Sequence, residues 1–281
     1  METSMRQNKK WSAAQCLALV EQSPQAVAAH DESAWMAIFA NQNTVEDPVG
    51  SAPHHSNREG AAGFEPLHRF YQTFIAANKI SFQVRQDIVC GLWVMRDLTI
   101  TIEMVARFKI AVPMHLLYEL EEQGGELKIR RLAAHWELRP MLGRQLKGGW
   151  RGLVAGTLAG WRLLRYLGIS GTIGFSQALS SVGEPGKQQV IELLASFNEQ
   201  QLTSVANWRC LVAAKESPEL LTAAHLSVEK VLAAGLNVTA SCQLQQNDQS
   251  FEGVMLVTFS KDHQRIETVL LMLDSTSANI T

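Results

Sequence analysis

Apolar residues recur at two different spacings along the chain. From Trp11 to Ala29, Cys16, Leu19, Val20 and Val27 fall near a 3.6-residue period and predict a helix, with Ser23-Pro24 as a point of kinking or interruption. Asp31 is a candidate N-cap for a second helix carrying Trp35, Ile38 and Phe39. A third runs from about Pro66 to Ala77 and buries Leu67, Phe70, Tyr71, Phe74 and Ile75. The period then shortens to two. Leu98, Ile100, Ile102 and Met104 alternate with polar residues. On the next strand Phe108, Ile110, Val112, Met114 and Leu116 share one face; Ala111, Pro113, His115 and Leu117 share the other. Gly124-Gly125 turns the chain into a last strand ending near Leu138. Helices followed by an antiparallel sheet make residues 11–139 an α+β domain.

Residues 140–186 predict an apolar helical linker. Gly152, Gly156 and Gly160 lie four apart on one helix ridge, and Arg151, Arg162 and Arg165 interrupt the apolar run short of a membrane span. Two readings of 149–181 stand: a helical segment packed on protein, or a hairpin making peripheral membrane contact. Gly183-Glu184-Pro185-Gly186 reads as a linker. Residues 187–281 predict a second α+β domain. A helix carries Val190, Ile191, Leu194 and Phe197, and a further helical stretch runs through Trp208 to about Ala234. Strands follow at Leu236–Leu244, Gly253–Phe259 and Ile266–Leu273. The helices-then-sheet order repeats that of the first part, without a residue-by-residue repeat.

One carboxylate stands out. In an extended Thr44–Pro53, Val45, Asp47 and Val49 share a face, so Asp47 sits among apolar side chains. Desolvation there raises a carboxyl pKa and makes a proton carrier near neutral pH. The competing reading is an Asp-Pro turn opener beside Gly50.

Composition narrows the partners. A formal net charge of -2 over 281 residues argues against nucleic acid. The four cysteines are far apart, which predicts free thiols, a reducing compartment and a cytoplasmic location. The polar Met1–Lys10 lacks a signal peptide's apolar core, and no metal-ligand cluster is visible.

The motif Val45-Glu46-Asp47-Pro48-Val49-Gly50-Ser51-x-Pro53, following Ala37-Ile38-Phe39-Ala40, resembles the bacterial Δ5-3-ketosteroid isomerases of the NTF2-like, or SnoaL-like, superfamily. The resemblance covers about residues 12–139. Arg69-Phe70-Tyr71 fits a helix carrying a pocket tyrosine. Val112-Pro113-Met114-His115 fits a strand carrying an acidic oxyanion donor, and Ala134-His135-Trp136 fits a last strand with a pocket aromatic. The resemblance implies a cone of helices on a curved sheet, with 187–281 a degenerate second copy packing sheet to sheet as an intrachain pseudo-dimer, or a homodimer.

It further implies that Asp47 moves a proton between two carbons of a hydrophobic carbonyl compound such as a steroid or polyketide, without a cofactor. That chemistry, in which a neutral carboxylic acid and a tyrosine hold the developing oxyanion, is a known example of pKa tuning. His115 and Tyr71 would act with Asp47; Trp136, Val45, Val49, Phe39 and Phe70 would line the substrate. Two positions depart from the pattern: the tyrosine of the first helix is Ser23 and the acidic donor is His115. His115 also reads as a strand histidine bonded within its sheet, and Tyr71 and Trp136 as core. Two other functions remain open: a non-catalytic binding module, and a membrane-peripheral scaffold docking through 149–181.

Overall fold

The computed structural model describes residues 11–200, 207–274 and the backbone of 278–279. Helix α1 (Ala13–Ala29) starts at a capping box in which Ser12 and Gln15 bond each other's backbone N–H, and it runs through Pro24 without a break. Asp31 caps the short α2 (Glu32–Ala37) by accepting from Ala34 N–H. Phe39 does not extend that helix. It opens strand β1 (Phe39–Glu46), because pairing with β6 (Glu126–His135) supplies the backbone partners. After β2 (His54–Asn57) and α3 (Glu65–Phe74) come β3 (Lys79–Cys90), β4 (Trp93–Glu103) and β5 (Lys109–Gln123). The strand order is β2-β1-β6-β5-β4-β3, antiparallel except for the parallel β1–β6 pair.

Alternation on β5 sorts this half. Val112, Met114, Leu116 and Tyr118 point to the helices and join their core, while Leu117 joins a different cluster on the opposite face. The helices cover only one face of the sheet; the other is covered by the second half.

Helices α4 (Leu138–Lys147), α5 (Gly149–Arg162) and α6 (Gly168–Ser176), with a π-helical turn at Leu163–Leu167, form the connection. The Gly183–Gly186 stretch is not a linker. It forms the first turn of α7 (Gly183–Asn198), where Gly186 packs against Val182. The second sheet holds β7 (Asn207–Val212), β8 (Lys215–Glu216), β9 (Ala224–Ala234), β10 (Asn237–Gln246), β11 (Gln249–Phe259) and β12 (Ile266–Leu273), with β13 (Ala278–Asn279) pairing β11. The helical stretch expected through Trp208–Ala234 is therefore strand, β7 to β9. Its isolated propensities yield to pairing with β12 and β10.

The second order, β8-β7-β12-β11-β10-β9, repeats the first strand for strand, with a parallel pair at the same place. The fold is thus α+β with two mixed sheets. They pack face to face through Val49, Ile88, Met95, Leu117, Ala133, Leu211, Val254 and Met272. Cys16, Cys90, Cys210 and Cys242 are free and buried.

Candidate functional site

Between the inward face of the first sheet and helices α1 to α6 lies a cavity of about 320 Å³. That is within the roughly 300–1,000 Å³ range of small-molecule sites. Its wall is mostly apolar: Val27, Phe70, Phe74, Ile100, Met114 and Leu116 from the first half, and Met141, Leu163 and Phe175 from the connection. A more open cleft of about 590 Å³ runs along β1, β2 and β6, but Asn41, Asn43, Arg130 and Arg131 make it polar. An enclosed apolar space with few polar groups is the better ligand site.

Asp47 lies on the wall of the 320 Å³ cavity. It follows the last residue of β1, and Pro48 ends the extended run. Burial pushes its carboxyl up from the ordinary 3.8 to about 6. One contact opposes burial: Trp136 Nε1–H donates to Asp47 Oδ1 at 2.5 Å, which favours the charged form. Asp47 thus stays a carboxylate at neutral pH, yet a stronger base than a solvated one. Trp136, just beyond β6, presents its ring to the cavity and its N–H to the carboxylate.

A second polar group forms where sequence reasoning looked for a first-helix tyrosine. Ser23 is on the cavity wall, and Tyr118 reaches it from the facing strand β5. The Tyr118 hydroxyl pairs with Ser23, whose Oγ also accepts from Trp35 Nε1 at 3.2 Å. Burial first, against Arg96 and the Ser23 bond, pushes the Tyr118 hydroxyl up to about 12, so it stays protonated. A tyrosine hydroxyl thus stands at the cavity wall beside Ser23, supplied by the facing strand. The sequence held the signal: Tyr118 continues the 112-114-116 series facing the helices. Arg162, at the end of α5, is a further polar wall residue that sequence reasoning placed only as a basic interruption.

Of the other expected site residues, Phe70 lines the cavity. His115 does not, and the expectation that it shares a space with Asp47 is corrected. Strand parity turns it to the opposite face, where Nδ1 lies 2.8 Å from Thr239 Oγ1 and Nε2 3.1 Å from Ser241 Oγ on β10. Burial first, and the nearby Lys230 second, hold His115 well below its usual pKa, so it is neutral. It belongs to a buried polar group between the sheets. There Asp97 accepts from Ser241 Oγ at 2.5 Å and pairs with Lys230, whose Nζ also donates to the carbonyls of Leu98 and Met114 at 3.0 and 2.9 Å.

Tyr71 packs on Trp35 with ring centroids 5.6 Å apart and is not on the cavity wall. Phe39 and Val45 are core, with Phe39 edge-on to Trp35 at 4.8 Å. Val49 sits between the sheets, because the turn at Pro48 breaks the alternation that would have placed it beside Asp47. Among the described residues no group of His, Cys, Asp and Glu is arranged to hold a metal ion.

Fold and site together define helices packed on one face of a mixed sheet around an apolar cavity, with Asp47 the one carboxylate among the described lining residues. No family model and no curated protein matches the chain. Among solved structures the chain is similar to a Mycobacterium tuberculosis protein in complex with estradiol-17beta-hemisuccinate (24% identity, 44% of this chain and 95% of that one, TM-score 0.38). It is also similar to a Δ5-3-ketosteroid isomerase from Mycobacterium sp. (23%, 44% and 95%, TM-score 0.38). A third is a computationally designed 17-OHP binder (20%, 44% and 95%, TM-score 0.39).

Proposed function

We propose that the cavity binds a hydrophobic carbonyl compound of steroid or polyketide type, and that Asp47 shifts its double bond by proton transfer. The observation that carries this reading is a carboxylate raised to about 6 on an apolar wall, oriented by one indole N–H. The ionised Asp47 takes a proton from the carbon between a carbonyl and a β,γ double bond. The electron pair moves onto the carbonyl oxygen as a dienolate. Asp47 then returns the same proton to the γ carbon, and the conjugated ketone forms. The proton is conserved within Asp47 and substrate, so the step balances without a co-reactant. The dienolate oxygen needs a donor. Tyr118, with Ser23, is the polar pair on the wall in a position to serve. The test is turnover of a β,γ-unsaturated steroid ketone, followed by the ultraviolet absorbance of the conjugated product. Asp47→Asn should lower it by about 10²- to 10⁴-fold. No turnover by the wild type, or an unimpaired variant, refutes the reading.

A second reading, lipid docking, concerns the outer side of the same structure. Among the described residues, all the exposed large hydrophobics except Val84 and Ile191 lie between Leu142 and Ile173, with Leu146, Trp150 and Ile169 the most open. Residues 138–182 carry six basic side chains and no acidic one, in a chain of net charge -2. An apolar face among basic residues suits an anionic membrane surface. No helix of the described residues is long and apolar enough to cross a membrane. Flotation with anionic liposomes should carry the wild type up and leave Trp150→Ser/Leu153→Ser/Ile169→Ser behind; equal flotation of both refutes lipid docking through this face.

A further inference from the structure

The cavity contains a charge that the proton-transfer reading does not use. Arg162 ends α5 and stands on the cavity wall beside Ala159, Leu163 and Met141. It is only 7% exposed. Its Nε donates weakly to the Leu158 carbonyl at 3.4 Å. Both terminal nitrogens, Nη1 and Nη2, are buried and make no hydrogen bond within the described protein. Among the described residues the one other arginine set as deeply has carboxylates: Arg96, at 1% exposure, holds both Asp87 and Glu21. A buried guanidinium whose terminal nitrogens are unpaired is costly, because four of its five N–H donors and a full charge lose water without exchange. Burial accordingly lowers the Arg162 pKa. The π-helical turn Leu163–Leu167 begins right after it, and such turns re-aim side chains at functional sites.

We propose that Arg162 is the head-group anchor of the cavity, and that the bound ligand is a largely apolar acid whose carboxylate pairs with its two terminal nitrogens. The planar fork of a guanidinium matches the two oxygens of a carboxylate. A single cation matches a singly charged head, and the apolar wall matches the rest of the molecule. Arg162 would thereby fix which end of the ligand meets the connection helices and which lies near Asp47. The inference rests on the cavity of the proposed function but not on proton transfer, so each can fail without the other.

The experiment uses dodecanoate and methyl dodecanoate as probes, measured by calorimetry on the full chain below the probes' micelle-forming concentrations. A buried charge-assisted pair predicts that the wild type binds the acid about tenfold to a hundredfold more tightly than the ester. Arg162→Met should erase that ratio by weakening the acid alone, and Arg162→Lys should retain part of it. Arg151→Gln, on the exposed side of the same helix, should leave it intact. Asp47→Asn should also keep the preference, whatever it does to turnover. Equal binding of acid and ester by the wild type overturns the proposal, as does binding of neither, or a preference that survives Arg162→Met or vanishes with Arg151→Gln. If Arg162→Met does not fold, the wild-type ratio together with Arg151→Gln decides.

Discussion

Replacing Asp47 by Asn separates a desolvated base from a turn-forming aspartate. In the unfolded chain Asp47 ionises near 3.8, and in the folded protein near 6. Below pH 3.8 the carboxyl is protonated in both states and the difference contributes nothing. Between 3.8 and 6 the unfolded chain has released its proton while the folded one keeps it, so stability falls as pH rises. Above 6 the full difference applies: about 3 kcal/mol of destabilisation, at 1.36 kcal/mol per pKa unit. Asn keeps the size of the side chain and an oxygen that accepts from Trp136, but carries no charge to desolvate. It forgoes the extra strength of a bond to an ionised acceptor, which offsets part of the gain. Asp47→Asn is therefore expected to be more stable than wild type by about 1–3 kcal/mol at pH 8, with the advantage gone by about pH 4. Urea unfolding of both proteins from pH 4 to pH 8 measures it, and the difference between the two cancels every other titrating group. Asn serves a turn as well as Asp does. A difference that stays flat with pH would make Asp47 a turn residue and remove the physical basis for calling it a base.

Three further perturbations follow from the same contacts. Trp136→Phe removes the N–H that favours the charged form, so the Asp47 carboxyl should titrate above 6, by roughly one to two pKa units; carboxyl carbon NMR reads this directly, and an unchanged or lower value would refute the role given to the indole. Asp97→Ala leaves Lys230 without its carboxylate between the sheets and should cost about 3–5 kcal/mol of stability in urea. Gly235→Ala would set a Cβ 2.7 Å from the Gly50 Cα at a residue with φ of +55°, so it should destabilise by about 1–3 kcal/mol, where a surface Gly125→Ala, with open space around it, should lose only the backbone strain of its positive φ.

Local periodicity was enough to read most of the first half. Strands β4 and β5, with the apolar face 112-114-116, were visible as strict alternation, whereas β1 and β2 were read as helix end and polar loop; the exclusion of His115 from the cavity was implicit in the alternation of β5. The family resemblance pulled His115 inward because it matched residues along the strand without their parity. Val49 failed for a different reason: alternation holds only while the chain is extended, and the chain turns at Pro48. The misread Trp208–Ala234 stretch contains no long β-branched run. Its strands exist because β12 and β10 offer edges to pair with, which is non-local information. Arg162 was invisible as a site residue because it reaches the cavity from a connection helix whose packing the sequence does not state, whereas Tyr118 was legible in principle, since it continues the 112-114-116 series. The two-half layout was legible as a repeated helices-then-sheet order, but the strand-for-strand order was not, because no residue-by-residue repeat carries it and pairing is non-local.

That shared order bears on Asp47 itself. The loop after it is held at three points drawn from different parts of the chain. Val49 N–H donates to the Ala134 carbonyl on β6 at 2.8 Å, and Ala52 N–H donates to the Gly174 carbonyl on α6 at 2.9 Å. Between them Gly50, at φ +93°, lies so close to Gly235 of the β9–β10 turn that a Cβ on either would meet the other's backbone. The Gly235 carbonyl in turn accepts from Val182 N–H, at the start of the second half. A carboxylate on an apolar wall is pulled toward water by its own desolvation, and a free loop would swing it there. Anchoring the next residues to the first sheet, the connection and the second sheet at once prevents that movement. The second half has no described counterpart of the cavity's carboxylate, but it holds the backbone that keeps Asp47 away from solvent. The raised pKa is then a property of both sheets together, because the burial that produces it depends on a loop that only their packing fixes.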